Sequence, residues 1–350
     1  MFLGKKDVIG LDIGSSYLKV VHLREKKGAY ELAAFEMLAL PPELIVEGSI
    51  IDSIRLVEAI GELMKKAKLK VKNCVLGIAG HTSVIIRRIT LPEMTEEELS
   101  ESIKYEAEQY VPFDIEDVHM DFQILEGQNE EPGQMDVMLV AVKKDIINEY
   151  TAVARDAGLT PIIVDVNTFC IANAYEINNE VEAERTVAVV NIGASTINLN
   201  VLKGGQTVFT RDSAMGSNLH TEALQKDMGL DYESAERVKR GEHVEGVNKA
   251  EAGQKIQMAS EEIAGEIARS LDLYRSTAYM EEINEVVISG GGALIKGFPE
   301  MLAETLAIEV RRAEPFHNIK VPNKLMGMVE DFGCMGAVAV GLAIRRLGDR

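Results

Sequence analysis

The sequence predicts a two-lobed α/β protein, with two similar core domains and a small α+β subdomain inserted into the first. Three observations predict it. A strand–turn–strand segment occurs twice, half a chain apart. A third glycine cluster follows a short apolar strand late in the chain. The length, 350 residues, exceeds what one hydrophobic core usually supports.

The repeat comes first. Residues 8–23 (VIGLDIGSSYLKVVHL) align with residues 187–202 (VAVVNIGASTINLNVL) without a gap, at an offset of 179. Asp12 falls on Asn191, Gly14 on Gly193, Ser16 on Ser195 and Lys19 on Asn198. In the second copy Ile197, Leu199 and Val201 alternate with Asn198 and Asn200, the period of a half-buried strand. β-rich runs follow both copies, at 30–37 and 207–211. Glycine in such a turn lets successive N–H groups point at one anion, and Ser15 and Ser16 add hydroxyl donors. Ala194, Ser195, Thr196 and the nearby Gly216 complete the second half. Facing each other across a cleft, the two turns hold a polyphosphate from both sides. A plain meander turn explains one copy, but a matched pair favours phosphate binding.

The third cluster is Gly290, Gly291, Gly292 and Ala293, after the apolar run 285–289 and before a helix expected over 294–307. Three glycines let a planar group lie on the backbone, and a helix start lends positive potential. The pattern is not GxGxxG and comes too late for a Rossmann unit.

In this order the glycine elements resemble the phosphate-1, phosphate-2 and adenosine motifs of the actin, sugar-kinase and heat-shock-70 superfamily. Residues 231–239 (DYESAERVK) resemble its Ala-Glu-x-x-Lys helix. The resemblance implies an actin-like (ribonuclease H-like) fold, with Glu236 and Lys239 approaching ribose and adenine. The alternative is an exposed i, i+3 ion pair, worth a few tenths of a kcal/mol. Residues 91–113, opening LPEM and closing YEAEQYVPF, resemble more narrowly the PilM family of type IV pilus assembly proteins, relatives of FtsA. Residues 164–167 (VDVN) and 172–174 (ANA) also fit.

That resemblance implies a cytoplasmic ATP-binding scaffold, held at the inner membrane through partners. ATP and Mg²⁺ are the implied cofactors. The implied partner is the N-terminal cytoplasmic tail of PilN, lying in a groove between the first lobe and the insertion and lined from 84–113. PilO, PilP, PilC and the assembly ATPase are further platform partners, and self-association stays open. Asp12 would hold hydrated Mg²⁺ at the phosphates, because a bare carboxylate there is repulsive. Lys19 offsets phosphate charge or is a solvent-facing strand lysine. Asp165 stands where the superfamily orients the attacking water; the alternative is an N-capping role. Asn191 replaces the usual phosphate-2 Asp and carries no charge, so binding with weak or absent hydrolysis is expected. Two alternatives share the fold. An FtsA-like filament protein would need a C-terminal amphipathic membrane helix, for which 343–350 is too short. A sugar or acetate kinase would need a polar acceptor pocket with a cleft Asp, and only Asp165 is at hand.

The expected organisation is a first-lobe core (1–85), the insertion (86–158), a return to the first lobe (159–184) and a second-lobe core (185–213). Subdomain IIB (214–270), the core again (271–325) and a C-terminal helix returning to the first lobe (326–350) follow. Helices are expected over 50–66, 95–110, 144–157, 255–274 and 333–346, and strands over 74–79, 84–89, 118–125 and 136–142. Thr95 caps the second helix, with Glu98 as its reciprocal partner. A hairpin loop is expected at 128–134.

Composition narrows the function. There are 37 Lys and Arg against 56 Asp and Glu, a net charge of −19. A surface that acidic argues against nucleic acid and against adsorption to anionic lipid. Cys74, Cys170 and Cys334 form no CxxC pair and read as buried apolar groups in a reducing compartment. The six histidines, His22, His81, His119, His220, His243 and His317, show no metal-ligand spacing. The first residues leave no room for a signal peptide, and no apolar stretch is expected to span a bilayer.

Overall fold

The computed structural model describes residues 7–46, 48–80, 82–125, 132–277 and 282–349. The first lobe opens with a meander, β1 (Ile9–Ile13), β2 (Tyr17–Lys26) and β3 (Ala29–Ala39). A short hairpin, β4 (Ile45–Val46) and β5 (Ser49–Ile50), and α1 (Ser53–Lys66) lead to β6 (Asn73–Ile78), parallel to β1. The insertion comprises β7 (Val84–Pro92), α2 (Glu96–Ala107), β8 (Val118–Leu125), β9 (Gln134–Lys143) and α3 (Lys144–Asp156). The chain returns through β10 (Thr160–Val166) and α4 (Asn167–Asn178).

The second lobe repeats the plan with β11 (Thr186–Ile192), β12 (Ile197–Lys203) and β13 (Gln206–Ser213). Then come α5 (Asn218–Met228), α6 (Tyr232–Lys239) and α7 (Lys249–Thr277). β14 (Glu285–Ser289), α8 (Phe298–Leu306) and β15 (Glu309–Arg312) close its sheet, and α9 (Asn323–Phe332) and α10 (Ala337–Ile344) end the chain.

The two sheets have the same topology, β10-β6-β1-β2-β3 and β13-β12-β11-β14-β15 read from opposite edges. Their registers also match: Asp12 pairs with Lys19 across the first hairpin, and Asn191 with Asn198 across the second. β1 and β14 are wholly buried, and so is β6 after Asn73, as expected when both faces of a sheet are covered and alternation gives way to apolar runs. α10 returns to the first lobe and packs at backbone contact on β1 and α4. A Cβ on Gly10 would sit 2.1 Å from the Ala339 carbonyl oxygen, and one on Gly341 would sit 1.9 Å from that of Cys170.

The insertion has its own sheet, β7-β9-β8. Leu99, Ile103 and Ala107 of α2 pack there against Ile89, Leu91 and Val137. The Thr95–Glu98 capping box forms. The helix stops at Ala107 rather than 110, and the Tyr110 and Val111 amides both return to the Ala107 carbonyl before Pro112.

Other expectations are corrected. α7 runs 29 residues through the boundary drawn at 270/271, and β7 and α9 cross those at 85/86 and 325/326. The helix expected over 294–307 is a 3-10 turn (Gly291–Leu294) followed by α8, which starts after Gly297 in a left-handed conformation (φ 79°). The helix expected over 333–346 splits into a 3-10 turn (Gly333–Gly336) and α10. The run Asn323–Ile344 is in fact long and apolar enough to cross a membrane, though 61% of its apolar 18-residue window is buried inside the protein. Most of the 128–134 loop and His81 lie outside the described residues. The acidic total also conceals a basic cluster: Lys65, Lys66, Lys68, Lys70 and Lys72 are all exposed.

Candidate functional site

The β1–β2 and β11–β12 turns meet. Ser15 Oγ lies 2.7 Å from Ser195 Oγ, either hydroxyl being able to donate. Beside this contact a cavity of about 480 Å³ is lined by Ser15, Ser16, Ala194, Ser195, Thr196 and Gly216. Ile45, Val46, Asn218, Thr221 and Tyr232 also line it, as do the carboxylate residues Glu43 and Glu222. Six residues singled out from sequence thus share one space.

The turns leave several amides without a backbone acceptor among the described residues. Gly14 N–H donates to the Tyr17 carbonyl and Gly193 N–H to that of Thr196, closing each hairpin. The Gly193 and Ala194 carbonyls accept from the N–H groups of Ser217 and Asn218. A trans peptide sets its N–H opposite its C=O, so the Ala194 and Ser195 amides point away from those donors. Neither amide, nor those of Ser15 and Ser16, meets a backbone acceptor among the described residues. Gly216 allows the close approach, because a Cβ there would lie 2.4 Å from the Ala194 carbonyl oxygen.

Asp12 and Lys19 stand behind the first turn as an ion pair, Nζ to Oδ2 2.7 Å. Both are largely buried, so Lys19 is no solvent-facing strand lysine. The second lobe has an amide pair at the equivalent place: Asn191 Nδ2 donates to Asn198 Oδ1 at 3.3 Å, and Ser289 Oγ lies 3.4 Å from Asn191 Oδ1. Among the described residues no group of three or more His, Cys, Asp or Glu could cage a metal. A single carboxylate suits Mg²⁺ that arrives with phosphate ligands.

Glu236 and Lys239 do not line the cavity. They sit behind Thr221, which donates to Glu236 Oε1 and accepts from Lys239 Nζ at 2.9 Å, and they pair with each other. Burial pushes the Lys239 ammonium below its usual pKa, and Glu236 opposes the shift. Tyr232, half-buried beside the Ser16 hydroxyl, is pushed up by burial. Beneath this layer His220 Nδ1 contacts the Ser217 carbonyl at 3.1 Å and Nε2 contacts Ser260 Oγ at 2.9 Å. Burial lowers its pKa from 6.5 to about 4.

Two expectations about the site change. The third glycine cluster is largely consumed by packing: a Cβ on Gly290 would lie 2.4 Å from the Ile192 carbonyl oxygen, and one on Gly292 would lie 2.2 Å from Ile192 Cγ2. Ala293 is buried as well, and only Gly291 keeps exposed surface. Asp165 lies away from the cleft cavity. Its Oδ2 is 2.9 Å from Arg345 Nε, without the alignment of a hydrogen bond, and its Oδ1 accepts from Val166 N–H. Burial raises its pKa against the pull of Arg345.

Asp165 instead lines a second cavity, of about 840 Å³, between the insertion and the first lobe, with Gly205, Gln206 and Thr207 of the second lobe at its rim. Met120, Phe122, Ile124, Met138, Val140, Val164 and Phe169 give it an apolar wall. None of its lining comes from 84–113, where the groove was expected. β8, the edge strand of its sheet, forms one side.

Sequence reasoning missed Asn218, Thr221 and Tyr232. Tyr232 follows the N-cap Asp231 and was within reach of the helix motif. Asn218, whose Oδ1 is buried without a hydrogen-bond partner among the described residues, carried no signal.

Residues 10–347 match the family model described as type IV pilus assembly protein PilM. The chain belongs to the PilM family. It is similar over 97% of its length to a chain of a PilM-PilN type IV pilus biogenesis complex, covering 98% of that chain at 29% identity and TM-score 0.86. Ethanolamine utilization protein EutJ from Carboxydothermus hydrogenoformans (17% identity, TM-score 0.58, 96% and 88% covered) shares the fold. So does MreB5 of Spiroplasma citri bound to AMPPNP (13%, 0.53, 96% and 94%). The fold is therefore actin-like, and the pilus branch is favoured over the filament and kinase alternatives. In this PilM-family chain the 91–113 block forms the end of β7, α2 and the turn to Phe113, whose ring carries the Lys143 ammonium 4.4 Å from its centroid.

Proposed function

We propose that this chain is a cytoplasmic ATP-binding scaffold of the type IV pilus inner-membrane platform, in which nucleotide clamps the two lobes. The Ser15–Ser195 contact carries this reading, because it brings turns from the two halves to one cavity. Residues 14–16 and 193–196 supply amides and hydroxyls to the phosphates, with Gly216 making room. The base lies toward Thr221 and Tyr232, with Glu236 and Lys239 fixing that wall and Gly291 as the open part of the third cluster. Mg²⁺ would be held through water by Asp12 and would neutralise phosphate charge. Lys19, paired with Asp12 behind the first turn, would add its charge against that of the phosphates.

Turnover is weak or absent in this reading. Asn191 has no charge, its amide is tied to Asn198 and Ser289, and Asp165 is paired elsewhere. A steady-state phosphate-release assay tests it; turnover near the ~10 s⁻¹ of a median enzyme would refute it.

The partner reading is the N-terminal tail of PilN in the cavity beside β8. A free strand edge next to an apolar wall suits an extended peptide, whose backbone adds to the sheet while alternate side chains enter the cavity. The likeness to a PilM-PilN complex supports PilN as the partner. Titrating a peptide of that tail into the chain carrying Val140→Glu tests it, since unchanged affinity would move the site. PilO, PilP, PilC and the assembly ATPase are further candidate contacts at the platform.

A further inference from the structure

The five-lysine cluster has no part in either cavity. Lys65 and Lys66 end α1. The chain then reverses with Leu69 N–H donating to the Met64 carbonyl and Lys68 in the left-handed region at φ 54°. Glycine is the usual residue there, yet this chain carries a charge. Leu69 and Val71 turn inward against the first-lobe core, leaving Lys68, Lys70 and Lys72 outward at alternate positions of an extended strip. Only Lys66 is neutralised, 3.0 Å from Glu36 Oε1. Among the described residues no carboxylate lies within ion-pair distance of the other four.

The strip enters β6 at the end of the sheet where Cys74 stands beside Ile9. The Ser15 turn is at the opposite end of β1. A partner on the lysines therefore leaves the cleft open.

We propose that this strip adsorbs the first lobe onto anionic phospholipid headgroups. The chemistry favours a diffuse anionic plane over a nucleic acid. All five cations are ammonium groups on flexible stems, with no guanidinium to grip phosphate in a forked geometry. No aromatic residue stands among residues 65–72 to stack on bases. The net charge of −19 does not forbid contact, because charges beyond a Debye length, about 10 Å at 0.1 M salt, are screened. Such adsorption corrects the expectation drawn from total charge, and it leaves the bilayer uncrossed.

Flotation of the full chain, without nucleotide or partner, tests this on vesicles of phosphatidylcholine alone or mixed with phosphatidylglycerol. The chain is expected to float with the mixed vesicles only and to be released by salt. Each lysine replaced by Gln, in the series K68Q, K70Q and K72Q, is expected to weaken binding roughly fivefold. K68G, which relaxes the backbone, gives the same loss with no risk to folding. Equal binding to both vesicles, no binding, full binding by the triple variant, or binding to duplex DNA but not to vesicles would each overturn the proposal. Because nucleotide is absent, failure here leaves the clamp reading standing.

Discussion

Ser15 and Ser195, 180 positions apart in the chain, place their hydroxyls 2.7 Å from each other. The contact joins the lobes at the one point where both glycine turns reach the same cavity. Behind it the two halves differ in charge: the first has the Asp12–Lys19 ion pair, and the second has the Asn191–Asn198 amide pair. In the proposed clamp, that asymmetry would put the cation on the first lobe.

Asp12→Asn is therefore expected to weaken nucleotide binding about tenfold or more in the presence of Mg²⁺, the loss typical of removing an outer partner of a bound metal. It should change binding little in EDTA. Titrations with and without the cation check this, and an equal loss in both would remove Mg²⁺ from Asp12.

α10 gives a stability prediction. Gly341→Ala puts a methyl into the Cys170 carbonyl, and such overpacking costs about 2 kcal/mol or more. Urea unfolding measures it. A variant as stable as the parent would mean that α10 does not sit against α4.

Much of this was legible beforehand because it was local or periodic. The gapless offset gave the matching cross-strand pairs, Thr95 and Glu98 gave the capping box, and the strand expected over 118–125 has the bounds of β8. What failed was set by distant contacts. Gly290 and Gly292 look like a ligand platform, but the chain of β11 fills the space above them. Asp165 looks catalytic, but its partner Arg345 lies 180 residues on. A net charge averages over the surface and hides five lysines in one strip.

Asp165→Asn separates those roles. It should leave nucleotide affinity unchanged and destabilise the fold by up to about 3 kcal/mol, as removing one partner of a buried ion pair does. Binding and melting measured together decide, and lost nucleotide affinity at unchanged stability would return Asp165 to the cleft.

His220 predicts a pH dependence. Its folded pKa, about 4, lies below the unfolded value near 6.5. Above pH 6.5 both states are neutral and the residue adds no slope. As pH falls from 6.5 to 4 the unfolded chain takes up the proton first, and stability drops by about 3 kcal/mol. His220→Gln should flatten that part of a melting-against-pH curve; an unchanged slope would place the titrating group elsewhere.

The clamp itself is tested most directly by calorimetric titration of Mg-ATP into the full chain and into Gly14→Val and Gly193→Val. One variant alters each turn, and each unfolding midpoint is measured alongside, because a Cβ would sit 3.0 Å from the Tyr17 carbonyl oxygen at position 14 and 2.9 Å from that of Thr196 at position 193. The account predicts one site per chain and at least a tenfold loss from either substitution, about 1.4 kcal/mol each. No binding by the parent, or a loss from one turn but not the other, would contradict a nucleotide held from both lobes.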